Sequence, residues 1–170
     1  MSSTPLKRYQ QDLLNPEFEP DAAQAEAVQH LQQLYENLLN NPRPTVKWWS
    51  RFGRNSATLT PQKGLYFWGG VGRGKTYLVD TFFECLPFAE KRRVHFHRFM
   101  HRVHNERKAL RHQADPLTLI ADQWAKQTRV LCFDEFVVND VADAVILVKL
   151  LQALFDRGVT LVATSNVEPI

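Results

Sequence analysis

Eight consecutive residues, Gly69-Gly70-Val71-Gly72-Arg73-Gly74-Lys75-Thr76, carry the pattern G-x-x-x-x-G-K-[ST]. Glycines let a backbone curl until successive amide N–H groups face one anion, and a helix starting beside them adds the positive end of its dipole. A lysine at this spacing reaches the β- and γ-phosphates of a nucleoside triphosphate, and the hydroxyl that follows it reaches the magnesium ion. The four fixed positions match by chance in about one chain of this size in two hundred. Lys75 and Thr76 are therefore expected to contact phosphate and metal, with Gly69, Gly70, Val71, Gly72, Arg73 and Gly74 supplying backbone.

Two further segments add groups of complementary chemistry. Arg129-Val130-Leu131-Cys132-Phe133 is a short apolar run that ends in Asp134-Glu135, as expected of a buried parallel strand delivering acids to the ligand edge of a sheet. Asp134 would hold magnesium through water, and Glu135 would orient or deprotonate the attacking water. Val159 to Thr164 is a second apolar run, closed by Ser165-Asn166, which puts Asn166 in reach of the γ-phosphate or the lytic water. Alone, an Asp-Glu pair after a strand also reads as a helix cap with a first-turn acid, and Ser-Asn as a turn. The spacing favours a shared site: 59 residues separate Lys75 from Asp134, and 32 separate Asp134 from Asn166, room for one crossover helix and its return strand.

These groups need a scaffold, and the pattern supplies one: an α/β three-layer P-loop domain with parallel strands near 64–68, 93–97, 129–133 and 159–164. Residues 64–170 form that core. Residues 1–63 bring a helix from Pro20-Asp21 to about Asn40, with Ala27, Leu31, Leu34 and Leu38 on one face, followed by a long loop. Asp21 and Gln24, near the start of that helix, are the candidates for adenine contact. The loop carries Lys47, Trp48, Trp49, Arg51, Phe52 and Arg54; either its tryptophans fold onto the domain, or Trp48, Trp49 and Phe52 meet a partner or a membrane surface. Further helices are expected from the phosphate loop to Cys85, from Arg98 to Gln113, from Pro116 to Lys126, and from Asp140 to Asp156, where Gly158 ends the run.

Five of the six histidines fall between positions 95 and 112, and His97, His101 and His104 share a helical spacing. No Cys, Asp or Glu completes a ligand set among them, so no transition metal is expected there. Lys91, Arg92, Arg93, Arg98, Arg102, Arg107, Lys108 and Arg111 make this stretch the most basic in the chain. A solvated helix face is the expectation, with nucleic-acid contact the sharper alternative.

Composition excludes several classes. With 170 residues, 44% of them hydrophobic and 23% charged, and a net charge of +3, the chain reads as one globular domain with an ordinary surface. Cys85 and Cys132 show neither metal spacing nor a disulfide framework, which suits a reducing compartment. No apolar run reaches membrane-spanning length, and no signal-peptide core follows Met1. The guanine-reading sequence N-K-x-D does not occur, which leans against GTP.

The combined wording of Trp68 to Thr76, His95-Phe96-His97-Arg98-Phe99-Met100, Leu131-Cys132-Phe133-Asp134-Glu135-Phe136 and Leu161 to Asn166 resembles the ATPase-family-gene-one branch of the AAA+ superfamily, over about residues 5–170. The resemblance implies a magnesium-dependent ATPase of the bacterial cytoplasm that acts on the FtsZ ring in cell division and self-associates at full length. Mitochondrial relatives act in protein quality control. It also implies that a fifth strand, an arginine finger, a second sensor and a helical lid lie past residue 170. The chain alone is then expected to bind nucleotide and turn it over slowly, with the Leu65–Trp68 edge open and Arg157 occupied at a helix C-terminus. The rival readings are a nucleic-acid-handling AAA+ protein such as a helicase loader, and a nucleotide-gated module with negligible turnover.

Overall fold

A computed structural model of the chain describes residues 3–42 and 60–169. Four strands, β1 (Leu65–Trp68), β2 (Lys91–His95), β3 (Val130–Asp134) and β4 (Thr160–Ser165), form one all-parallel sheet in the order β1-β4-β3-β2. The two central strands are the most apolar and the most buried, as a sheet covered on both faces requires. Alternation along β3 then divides the core. Val130 and Cys132 face one layer with Val162, while Leu131 and Phe133 face the other with Ala163.

The first layer contains α1 (Pro5–Asp12), α2 (Ala22–Asn40) and α3 (Lys75–Cys85); the second contains α4 (Phe96–Ala109), α5 (Pro116–Gln127) and α6 (Val141–Phe155). Val28, Leu31, Leu34, Tyr35 and Leu38 of α2 lie buried in the same cluster as Val79 and Phe82 of α3. The helix end is tied down as well: the Arg129 guanidinium donates to the Leu38 carbonyl and, at 2.6 Å, to that of Asn41, satisfying acceptors that a helix terminus leaves open. Gly64, just before β1, has no alternative, because a Cβ there would stand 2.1 Å from the Leu161 carbonyl oxygen.

Three elements depart from expectation. Strand β2 ends at His95 rather than residue 97, and α4 starts at Phe96 rather than Arg98 and ends at Ala109 rather than Gln113. Phe96, Phe99, Met100 and Val103 are all buried at helical spacing, with the Phe96 ring 5.5 Å from Phe133 and 4.7 Å from Phe136. That packing recruits Phe96 into the helix. Helix α1 was not expected at all; Thr4 caps it, its hydroxyl accepting the Lys7 N–H at 3.3 Å, and Pro5 opens it. The aromatic loop residues Trp48, Trp49 and Phe52 lie outside the described residues.

Candidate nucleotide site

Residues 69–74 run from the end of β1 to the start of α3, and three of their glycines, Gly69, Gly72 and Gly74, hold positive φ. Gly74 is the N-cap of α3, at φ 72°, and offers no side chain to the helix amides behind it. The first amides of α3 thus lack a side-chain acceptor, and an uncapped helix start is where an anion can be received. Lys75 folds its ammonium over the loop, donating to the carbonyls of Gly69 at 2.6 Å and Gly70 at 2.7 Å.

Asp134 is the last residue of β3, and Glu135 follows it in the left-handed region at φ 54°, the single non-glycine among the described residues with positive φ. A backbone forced there costs about 1–3 kcal/mol, and the surroundings must hold it. They do so through neighbours. The Phe136 N–H donates to the Thr164 carbonyl at 2.7 Å, and the Ser165 hydroxyl donates to the Phe136 carbonyl at 2.7 Å. These bonds fasten the turn after β3 to the end of β4, where Asn166 emerges exposed. One cavity of about 660 Å³ is lined by residues 71–76 of the loop, Asp134, Glu135 and Asn166 together, while Gly69 and Gly70 line its neighbour. The sequence-predicted groups thus converge on one space.

A second cavity, of about 810 Å³, lies on the other side of the loop and shares Arg73 and Lys75 with the first. Asp21 and Gln24 line it, beside Ala27, Leu34 and Tyr66. Asp21 also has a structural occupation, since its Oδ1 accepts the N–H groups of Ala23 at 2.7 Å and Gln24 at 3.4 Å. Gln24 donates through Nε2 to the Arg73 carbonyl at 3.3 Å, which seats α2 against the phosphate loop.

Sequence reasoning missed three residues here. Arg93, counted with the basic surface, turns into the site and binds Asp134 through both carboxylate oxygens. His95 lines the same cavity because the β2 register sets it opposite Asp134. Tyr77, next to Thr76, donates to Asp12 of α1 at 2.5 Å, and burial followed by that bond pushes its phenol up to about 12. Only the alternation of β2 could have signalled Arg93, by placing it on the face opposite Arg92 and Val94.

The other candidates have separate occupations. His104 pairs with Asp143 at 2.7 Å, His95 stacks on His97, and no group of three or more His, Cys, Asp or Glu able to hold a metal occurs among the described residues. Arg102 pairs with Glu106 at 2.6 Å and lies over the Trp124 ring. Arg157 binds Asp122 at 2.6 Å and the Ala153 carbonyl in the last turn of α6 at 2.7 Å, the helix-end role expected of it. Cys132 is fully buried in β3, where desolvation pushes its thiol up to about 12. The oxygens of Thr76 and Asp134 in one cavity are the hard donors magnesium prefers, so the residues present fit that ion.

The fold is shared with replication proteins. Domain III of DnaA from Thermotoga maritima superimposes with a TM-score of 0.60 at 18% identity, over 91% of this chain and 58% of that one. The DnaC helicase loader gives 0.58 at 16% identity, over 96% and 81%. Both likenesses establish a P-loop α/β fold. In sequence, the cell division protein ZapE of Escherichia coli K12 is 48% identical over 178 residues, covering 99% of this chain and 47% of the relative. An uncharacterised protein of Schizosaccharomyces pombe is 34% identical over 200 residues, covering 98% of this chain and 44% of its own length. The chain thus spans about half the length of the curated relatives it matches. The model of the AFG1-like ATPases matches from residue 3 to residue 170, a span that includes the phosphate loop, the acidic end of β3 and Asn166 after β4, and the chain belongs to that family.

Proposed function

We propose that the chain binds ATP with magnesium and, within its whole protein, hydrolyses the β–γ bond by in-line attack of water. The observation that carries this reading is the convergence of the phosphate loop, Asp134, Glu135 and Asn166 on one cavity at the C-terminal edge of a parallel sheet. Loop amides and the start of α3 receive the phosphates, and Lys75 exchanges its two carbonyl partners for phosphate oxygens. Magnesium, when bound, neutralises charge on the transferring phosphoryl group. Asp134 and Thr76 hold that ion, Asp134 through water, while Glu135 orients the attacking water and takes its proton, and Asn166 hydrogen-bonds the γ-phosphate or that water. Asp21 and Gln24 border the space left for the base.

Likeness to ZapE and the family resemblance support a role in bacterial cell division, with the FtsZ ring as the target and self-association of the whole protein. Among the described residues no helix is long and apolar enough to cross a membrane, and the proposed location is the cytoplasm. Phosphate release from ATP by the full-length protein, with and without magnesium, tests the chemistry. Turnover at the level of a Glu135→Gln control would leave only a nucleotide-gated binding module. Co-sedimentation of that control with FtsZ polymers in ATP tests the target; stimulation by DNA instead of FtsZ would favour a helicase-loader role for the basic α4 surface.

A further inference from the structure

Arg93 stands on β2, one strand away from Asp134, and grips its carboxylate with two parallel bonds: Nε donates to Oδ2 at 2.7 Å and Nη2 to Oδ1 at 2.9 Å. Its third nitrogen, Nη1, pairs with Asp80 on α3. The side chains of Arg93 and Asp134 are 18% and 14% exposed, whereas that of Asp80 is 48% exposed. One guanidinium thus bridges two carboxylates of unequal burial. Bidentate charge-assisted bonds are among the strongest that side chains form, and a withdrawn carboxylate left without them is costly. Arg93 also lines the cavity that holds the phosphate loop and Thr76, so its charge stands where a divalent cation must come.

We propose that Arg93 is a positioning residue that neutralises and aims Asp134, and that Asp80 competes for the guanidinium, so that this three-residue chain sets the magnesium requirement of nucleotide binding. The proposal rests on the nucleotide reading above. Arg93 opposes a second cation beside Asp134 by charge, and each bond to Asp134 occupies oxygen lone pairs that the ion's water shell needs. Asp80 offsets this opposition. As the hold on Asp134 loosens, Arg93 keeps a carboxylate partner on α3, the helix that begins at the phosphate loop.

The test is the magnesium dependence of binding, read without turnover, using fluorescence anisotropy of an N-methylanthraniloyl-ADP probe on the purified chain. Arg93→Gln frees Asp134, and the half-saturating magnesium concentration should fall at least about threefold; Asp80→Asn leaves Arg93 to Asp134 alone, and the midpoint should rise by about the same factor. Opposite shifts are the signature. A purely structural ion pair would lower thermal stability in both variants and move the two midpoints together or not at all, and either result overturns the proposal. If Arg93→Gln fails to fold, Asp80→Asn decides alone, a midpoint unchanged or lowered being fatal. Magnesium-independent failure of the unsubstituted chain to bind the probe would sink the nucleotide reading itself, and this inference with it.

Discussion

Helix α6 begins at Asp140, whose carboxylate accepts the Ala142 N–H at 2.6 Å, whereas α3 begins at Gly74, which has nothing to offer its helix. The same contrast holds against α2 and α5, capped by Asp21 and Asp115. A carboxylate cap satisfies amides that would otherwise bond to water, and it places a negative charge at the positive end of the dipole. On α3 a carboxylate would repel the anion that the loop is proposed to receive. Helices α1, α2, α5 and α6 close their own ends with a side chain, whereas α3 and α4 start without one, and of these two it is α3 that begins at the loop proposed to receive phosphate. Strain follows the same division: the described positive-φ residues cluster at 69–74 and at Glu135, with Gly158 after α6 the exception.

The sharpest way to break this comparison is to remove chemistry from the open end. Glu135→Gln should lower single-turnover hydrolysis by about 10²- to 10⁴-fold while nucleotide affinity stays within a small factor. Lys75→Ala should instead abolish affinity. Equal loss of binding in both would erase the distinction between the group that holds phosphate and the group that readies water. Glu135→Gly adds a stability arm, since glycine adopts φ 54° without a Cβ penalty. It should unfold at higher denaturant than Glu135→Ala, by about 1 kcal/mol, and both should be inactive.

Exchanging the two kinds of helix start is the next test. Gly74→Ala meets the left-handed penalty of about 1–2 kcal/mol, and its Cβ would stand 2.5 Å from Gln24 Nε2, which must move. Nucleotide affinity should drop along with stability. Asp140→Ala should cost about 1 kcal/mol in chemical unfolding and leave probe affinity unchanged. If the cap variant weakened binding as much as the loop variant, the two helix starts would not be functionally distinct.

The open end was the more legible of the two in sequence, for a physical reason. Phosphate binding by backbone needs glycines, a lysine and a hydroxyl within one turn of chain, so residues 69–76 spell it locally. Asp134, Glu135 and Asn166 were legible because apolar strands end abruptly in polar groups. Arg93 was hidden because its partner lies 41 residues away on the neighbouring strand, and alternation along β2 separates it from Arg92 without saying which face meets the site. The end of β2 was ambiguous because Phe96 fits both an alternating run with Val94 and a helical run with Phe99 and Val103. Packing against Phe133 and Phe136 decided it. Helix α1 has eight residues, too short to be stable alone; the bond of Tyr77 to Asp12 and the ion pair of Arg8 with Glu84 hold it on α3.

The smallest expected effect sits at the closed end of α5 and has a definite pH signature. Asp115 accepts the Thr118 hydroxyl at 2.5 Å and the Thr118 N–H at 3.2 Å, and these bonds, the hydroxyl first, hold its carboxyl below the usual range. A carboxyl depressed in the folded state contributes stability that is fully present above its unfolded pKa, about 3.9, and lost as pH falls through the folded value. Asp115→Ala should therefore melt below the parent chain at neutral pH, and the gap should shrink only once pH drops below about 4. Burial cannot produce this pattern, since a desolvated acid would be raised and its contribution would grow on acidification. The open end carries no such cap on α3, so Gly74→Ala should show a melting deficit that does not depend on pH across the same window. A deficit at Asp115→Ala that is equally flat from neutral pH to pH 3 would mean that the helix start is held by geometry alone and that the contrast between capped and uncapped helices is not electrostatic.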